Sequence, residues 1–383
     1  MPSETPRTST APPESSAATA PSVALVHDYL LVMRGAERTF AAMAACWPGA
    51  PIYTLLYDQA AMGSAFAGHM VTTSMLQRLG ARQGSFRYLL PLFPRAVERL
   101  PVSGFDVIVS SSSAFALGVR PGPDAIHVCY CHSPFRYVWF ERERALSECP
   151  APLRPLLRRV LDRTAAWDRE AAGRVTHFIA NSKITQERIE RIYGRESTII
   201  HPPVSVDRFA RGDPEDFVLF VGQIVRHKRV DVAIEAALLA GRPIRIVGDG
   251  PDREELEERF SGQPVQFLGP IGDAKLASLY SRCLALVVAN VEEFGIAAVE
   301  AQAAGRPVVA VARGGVTETV LDGKTGILVD GESAADLAEA LRSEDLLRFD
   351  PAVIQANAAR FSSEAFQAKL VETVAELSRA PLI

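Results

Sequence analysis

Short apolar runs alternate with longer amphipathic stretches along almost the whole chain. Val23–His27, Phe105–Ser110, Ile126–Cys131, His177–Ala180 and Ser197–His201 are each too short for a helix and are bounded by turn-forming residues, so they predict buried strands. A second set follows: Phe217–Gly222, Pro243–Val247, Val265–Leu268, Leu284–Ala289, Val308–Val311 and Gly326–Val329. Helical spacing fills the gaps, as in Thr39–Cys46, Leu153–Arg169, Ile184–Tyr193, Val230–Leu239, Asp252–Phe260 and Ala334–Leu341. Between the two sets, His201–Pro214 is rich in Pro and Asp and has no periodicity, as a linker does. Strands alternating with helices predict an α/β chain of two doubly wound, Rossmann-like domains facing each other across a cleft. The expected division is a disordered tail at 1–22, an acceptor-side domain at 23–203 and a donor-side domain at 204–360. A last helix, 361–383, is expected to pack back toward the first domain.

One strand-to-helix junction concentrates candidate chemistry. After the apolar run Leu284–Ala289, the chain reads Val291-Glu292-Glu293-Phe294-Gly295-Ile296-Ala297-Ala298-Val299-Glu300 and runs on to a stop at Gly305 and Pro307. Glu292 falls in the loop and Glu300 about a turn into the helix. Between them lies a helix N-terminus, where unpaired N–H groups and the macrodipole favour a phosphate. Carboxylates on both sides of an anion site suit a sugar nucleotide, with one acid for hydroxyls on each side of a diphosphate. The bland alternative is a solvated loop acid and an exposed helix acid.

Ligands of open α/β sheets bind beyond the C-terminal ends of strands, which places Asp28 and Gly35 at a cleft. Gly35 would serve equally by simply opening a helix, and no nicotinamide-type G-x-G-x-x-G occurs there. The run ending at Cys131 delivers His132 and Arg136, with aromatic neighbours, to the same rim. Met75–Leu100 carries Arg78, Arg82, Arg87, Arg95 and Arg99 among apolar residues, which fits either a solvated helix face or contact with an anionic membrane surface.

Composition narrows the classes. The 383 residues allow two ordinary cores, and a formal net charge of −4 gives no basic field for nucleic acid. Five scattered cysteines, an odd number without zinc spacing, fit a reducing cytoplasm. No apolar run reaches membrane-spanning length, and the first residues lack a hydrophobic signal core. A cytoplasmic protein, soluble or peripheral on the inner membrane, is expected.

Glu292-x7-Glu300 with Phe294-Gly295 and Ala304-Gly305-x-Pro307, Val221-Gly222-x5-Lys228-Arg229-Val230-Asp231, Val247-Gly248-Asp249-Gly250-Pro251 and Gly314-Gly315-x-x-Glu318 resemble the signature of retaining GT-B glycosyltransferases of family 4. The first half is similar to bacterial mannosyltransferases of polysaccharide and O-antigen synthesis, through Val26-His27-Asp28-Tyr29-Leu30, Met33-Arg34-Gly35-x-Glu37-Arg38 and Cys129-Tyr130-Cys131-His132-Ser133-Pro134-x-Arg136-Tyr137-x-Trp139. The resemblance implies transfer of mannose from GDP-mannose to a glycan or polyprenyl-diphosphate-linked acceptor, with no divalent metal required. Lys228 and the N–H groups of Phe294, Gly295 and Ile296 would hold the donor diphosphate, beside Gly222 and Gln223. Glu300 would meet the ribose and Glu292 a sugar hydroxyl, as a positioning group rather than a nucleophile. His132 would approach the donor sugar and its phosphates from the opposite domain, with Asp28, Gly35 and Arg136 on the acceptor side. The family usually has Arg where this chain has Gln223; Lys228 and Arg226 are expected to make up the charge, the alternative being weaker donor binding. Competing expectations are a hexosyltransferase using a UDP-sugar, a sugar-nucleotide epimerase and a non-catalytic nucleotide-sugar-binding protein.

Overall fold

The computed structural model describes residues 21–79 and 86–379. Most of the expected N-terminal tail, Arg82 and the Arg87 side chain lie outside the described residues and side chains.

Two parallel sheets organise the chain. The first holds β1 (Val23–Leu30), β2 (Ile52–Tyr57), β3 (Val71–Thr73), β4 (Val107–Ser112), β5 (Ile126–Cys131), β6 (His177–Ala180) and β7 (Ser197–Ile199) in the order β3-β2-β1-β4-β5-β6-β7. The second holds β8 (Val218–Val221), β9 (Ile244–Val247), β10 (Val265–Gly269), β11 (Ala285–Val288), β12 (Val308–Val311) and β13 (Gly326–Val329) in the order β10-β9-β8-β11-β12-β13. Each sheet is covered on both faces by apolar clusters, which is why its strands read as continuous hydrophobic runs rather than alternating ones. The strand order reverses between β1 and β4 in one sheet and between β8 and β11 in the other. Those are the points where an open sheet leaves a crevice at its C-terminal edge.

Two strands have no counterpart in the sequence reading. β2 is almost fully buried, whereas β3 is three half-buried residues on the sheet edge. The basic segment is not one helix. Its described parts are two 3₁₀ stretches and the short helix Phe93–Val97, whose Leu76, Leu90, Phe93, Ala96, Val97 and Leu100 enter the first core. Arg78, Arg95 and Arg99 remain exposed.

The linker and the returning chain run side by side: the Val204 N–H donates to the Phe361 carbonyl at 2.8 Å. The helix Ser363–Arg379 then sets Phe366, Leu370 and Val374 into the first domain beside Leu25, Phe40 and Tyr130. Gln367 reaches the Ala42 carbonyl at 3.0 Å. Burying three such side chains contributes about 1.5–3 kcal/mol each, so this helix fastens the second half of the chain to the first.

Candidate active site

The cleft between the two C-terminal sheet edges encloses about 620 Å³. On the second-domain side, β11 is followed by Asn290 and the loop Val291–Gly295, and then by the helix Ile296–Ala303. Gly295, at φ +86°, turns the chain into that helix. The loop rests on Gly314 and Gly315: the Gly315 N–H donates to the Glu292 carbonyl at 2.8 Å, and a Cβ on Gly315 would stand 2.2 Å from the Phe294 Cα. A side chain there would push Glu292 out of place. Phe294 anchors the loop from beneath, its ring 5.5 Å from those of both His201 and Phe361.

Lys228 closes a 3₁₀ turn (Arg226–Lys228) in the loop after β8, and its Nζ meets both Glu292 oxygens, at 2.6 and 2.7 Å. Asn290 Nδ2 donates to the same carboxylate at 3.1 Å. An ammonium has three N–H donors, so two engaged with Glu292 leave a third for an oxyanion entering beside the helix N-terminus. The two residues expected to serve the sugar and the diphosphate separately thus form one charge-compensated unit. Glu300 faces the cleft one turn further on, its Oε2 accepting from the Tyr280 hydroxyl at 2.8 Å. Burial raises its carboxyl above the ordinary range, against the opposing pull of that hydroxyl, Arg208 and Arg38. Neither acid is a freely solvated surface group.

Gly222, Gln223, Phe294, Gly295 and Ile296 all line the cleft, as expected of donor-binding residues. Arg226 does not. It lines a separate hollow with Arg229, Asp252 and Glu255, so Lys228 is the member of the expected pair that brings charge to the cleft wall. The cations that do line the cleft are Lys228, Arg34, Arg38, Arg136 and Arg208, and the last carries an ion pair to Asp273 at 2.9 Å.

On the first-domain side, His132 follows β5 and lines the cleft. Its backbone is fixed by its own N–H donating to the Ser112 carbonyl at 2.9 Å and by its carbonyl accepting from Asn181 at 3.0 Å. Its Nε2 lies 2.8 Å from the Ser111 hydroxyl, and burial, reinforced by His27, drives the imidazolium down to about 3. His132 is therefore neutral at physiological pH. Gly35 both opens the helix Gly35–Ala44 and lines the cleft; a Cβ there would lie 3.1 Å from Ile296 Cδ1 of the other domain.

Asp28 requires a correction. It is 3% exposed and does not line the cleft. Its two oxygens accept from the N–H groups of Ser113, Phe115 and Ala116 at 2.6–2.8 Å, so it holds the loop after β4 in place. Arg136 does line the cleft, but its guanidinium is engaged across the interface with Glu293 at 2.9 Å.

Glu293, not among the expected site residues, is the acid that Arg136 meets. It also accepts from Arg188 at 2.8 Å, and Arg188 lies over the Phe140 ring. Burial pushes the Glu293 carboxyl up, but Arg136 and Arg188 outweigh it and hold it below the ordinary range. Glu318 makes a second clasp between the domains, accepting from the Lys183 N–H and lying 2.9 Å from His201 Nε2. Its position in a Gly-Gly-x-x-Glu motif was the available signal. Glu293, one residue beyond Glu292, offered none.

Two family models match this chain: Glycosyltransferase Family 4 over residues 33–208 and Glycosyl transferases group 1 over residues 205–347. A D-inositol 3-phosphate glycosyltransferase of Mycobacterium sp. (strain JLS) is 30% identical over 240 residues, covering 56% of this chain and 53% of that one. The chain spans about half the length of the curated relatives it matches. Among solved structures, Anabaena HepE in complex with UDP and glucose superposes with a TM-score of 0.69 at 20% identity, over 93% of this chain and all of that one. Sucrose-phosphate synthase of Thermosynechococcus elongatus gives 0.67 at 19%, over 92% and 99%. At that identity what is shared is the fold. With the two family models together matching residues 33–347 and two parallel-sheet domains facing across a cleft, the chain belongs to the family 4 glycosyltransferases of GT-B fold.

Proposed function

We propose that the chain is a retaining glycosyltransferase that moves a hexose from a nucleoside-diphosphate sugar to a hydroxyl acceptor. The observation that carries this reading is the Lys228–Glu292 pair beside the N-terminus of the Ile296–Ala303 helix, with Glu300 one turn along the same wall. The diphosphate lies at the helix N–H groups and shares Lys228 with Glu292, while Glu300 accepts from the ribose. In the transfer, the bond from the sugar's anomeric carbon to the phosphate oxygen breaks as the acceptor oxygen bonds to that carbon on the same face. The acceptor's proton passes to the departing phosphate. Glu292, already held by Lys228 and Asn290, orients a sugar hydroxyl. Each well-placed donor to the leaving diphosphate contributes on the order of 3 kcal/mol. Lys228 and the helix dipole supply positive charge where a metal would otherwise sit, which supports transfer without a divalent ion.

GDP-mannose is the donor that the first-half motifs support, with a glycan or polyprenyl-diphosphate-linked acceptor and a role in cell-surface polysaccharide synthesis. A UDP-hexose donor is the second reading, favoured by the UDP-glucose complex of Anabaena HepE; an inositol phosphate acceptor is suggested by the name of the mycobacterial relatives. No helix among the described residues is long and apolar enough to cross a membrane. Exposed Leu79 and Leu92 beside Arg78, Arg95 and Arg99 support peripheral contact with the cytoplasmic face of an anionic bilayer.

The test is a panel of labelled nucleotide sugars in EDTA, offered with a bacterial membrane extract or with inositol phosphate, scoring transferred label and released nucleotide. Transfer from GDP-mannose into lipid is expected. Transfer from UDP-glucose alone sinks the mannosyl reading. Nucleotide retained throughout, with sugar isomerised, makes the protein an epimerase; no turnover leaves a binding protein.

A further inference from the structure

Behind His132, away from the cleft, three side chains continue its hydrogen bond into the first domain. The Ser111 hydroxyl, fully buried, lies 2.8 Å from His132 Nε2 and 3.0 Å from His27 Nδ1. His27 is 3% exposed and stacks on Phe40 with 4.7 Å between centroids. Its other nitrogen, Nε2, faces Glu37 Oε1 at 4.0 Å, and the second Glu37 oxygen accepts from the Arg34 N–H at 3.0 Å. Glu37 lies in the first turn of the helix Gly35–Ala44, between Ala36 and Arg38, which line the cleft.

The order of protons along this chain follows from counting donors. Glu37 Oε1, 4.0 Å from His27 Nε2, is beyond hydrogen-bond length, but the carboxylate's charge favours the His27 tautomer whose N–H is turned toward it, which leaves Nδ1 bare. A bare Nδ1 takes the single hydrogen of the Ser111 hydroxyl. Ser111, having given that hydrogen, accepts from His132, whose proton must then sit on Nε2. The remaining nitrogen of His132, Nδ1, has no hydrogen bond among the described residues, and His132 lines the cleft.

We infer that Glu37, His27 and Ser111 are positioning residues for His132, fixing its proton on Nε2 so that an unprotonated Nδ1 faces the cleft. A lone pair there accepts a hydrogen bond from a hydroxyl and repels a phosphate oxygen. His132 therefore serves a hydroxyl of the sugar or of the acceptor and not the diphosphate, which divides the role that the sequence had left joined. The neutrality of His132 agrees with this. The consequence for turnover rests on the glycosyl-transfer reading above, whereas the proton position does not.

The two parts are separated by one experiment on the full chain labelled with ¹⁵N-histidine. Long-range proton–nitrogen correlation spectra report which ring nitrogen carries the proton, and the His132→Gln variant assigns the signal. The wild type is expected to show His132 protonated on Nε2 and bare on Nδ1. Glu37→Gln is isosteric. With its amide oxygen kept on the Arg34 N–H, the NH₂ group replaces the negative oxygen facing His27, which favours the opposite His27 tautomer and reverses the two hydrogen bonds through Ser111. His132 should then carry its proton on Nδ1. Its kcat for transfer should fall on the order of tenfold to a hundredfold while nucleoside diphosphate affinity is unchanged. Ser111→Ala removes one buried oxygen and should leave His132 as a mixture of tautomers. A wild-type His132 protonated on Nδ1, or the same tautomer in the wild type and Glu37→Gln, overturns the inference. Opposite tautomers with no transfer from any nucleotide sugar would uphold it and overturn the proposed activity instead.

Discussion

At the end of β11 the cleft is faced by an ion pair, Lys228 with Glu292, while at the end of β5 it is faced by a neutral imidazole held by a hydroxyl. Both groups are clamped, but by different means. Lys228 and Glu292 are each other's counter-ion, and both keep some contact with water, at 22% exposure each. His132 has no adjacent acid, and burial keeps it uncharged. The difference assigns labour in the proposed reaction: charge is kept on the wall where a diphosphate accumulates charge, and neutral acceptors are kept on the wall that reads hydroxyls.

The largest effect should come from breaking the charged wall. In Glu292→Ala, transfer is expected to fall by about a hundredfold to a thousandfold, the range for losing a well-placed polar contact at a reacting centre. Nucleoside diphosphate binding should be kept or strengthened, because Lys228 loses its internal partner and becomes fully available to phosphate. Titration calorimetry beside steady-state kinetics checks both. An equal loss of nucleotide affinity would place Glu292 on the diphosphate.

Glu300 tests the same wall one turn further from the reacting bond. Glu300→Ala should raise the donor KM by about tenfold with little change in kcat, since ribose contacts are made equally in the ground and transition states. It also strips the buried Tyr280 hydroxyl of its acceptor, which costs on the order of 1–3 kcal/mol of stability. Tyr280→Phe in the same background should recover part of that stability and none of the KM. An unchanged KM would remove Glu300 from the ribose.

How much of this is legible in the amino-acid sequence differs between the same two walls. β5, β6 and β8–β13 are short apolar runs flanked by turn residues, and their covered faces leave little ambiguity. Glu292 and Glu300 were legible because loop, glycine and helix N-terminus lie within one short stretch, and Lys228, 64 residues earlier, because it follows the glycine just after β8 in a motif of its own. Asp28 was misplaced because its partners are backbone N–H groups 85 to 88 residues away, and nothing local distinguishes a buried, satisfied acid from a cleft acid. β3 was invisible because an edge strand of three half-buried residues carries no period. Glu293 was passed over for the same reason as Asp28: Arg188 is 105 residues distant.

The clasp at Glu293 joins the two walls, and loosening it asks whether their chemistry depends on their distance. Glu293→Gln keeps the shape and removes the charge shared by Arg136 and Arg188. Donor KM should rise a few-fold, more at low salt than at high, as partly exposed ion pairs are screened. Fluorescence transfer between dyes on the two domains should report a longer mean separation. A KM change with no change in separation would make Glu293 a ligand contact.

The smallest effect on transfer is expected from Asp168, which lies outside the cleft but shares the first domain's habit of burying groups in neutral form. Its side chain has no exposure, and Oδ2 accepts from Trp139 Nε1 at 2.6 Å and from the Tyr193 hydroxyl at 2.8 Å. Oδ1 has no hydrogen-bond partner among the described residues. Burial raises the carboxyl from 3.8 to about 7, the two donors notwithstanding. An acid whose folded value lies above its unfolded one binds more protons when folded. Its contribution is therefore present in full below about 4 and is lost as pH rises through about 7. Asp168→Asn keeps an oxygen for Trp139 and Tyr193 and cannot ionise. Relative to the wild type, the variant should gain stability progressively between pH 4 and pH 7, by about 1.4 kcal/mol for each pH unit crossed and so by up to a few kcal/mol, and the difference should be flat above that window. Denaturant unfolding at several pH values measures it. Parallel curves for the two proteins would mean that Asp168 is ionised in the fold, and that the first domain tolerates a buried charge as readily as the second.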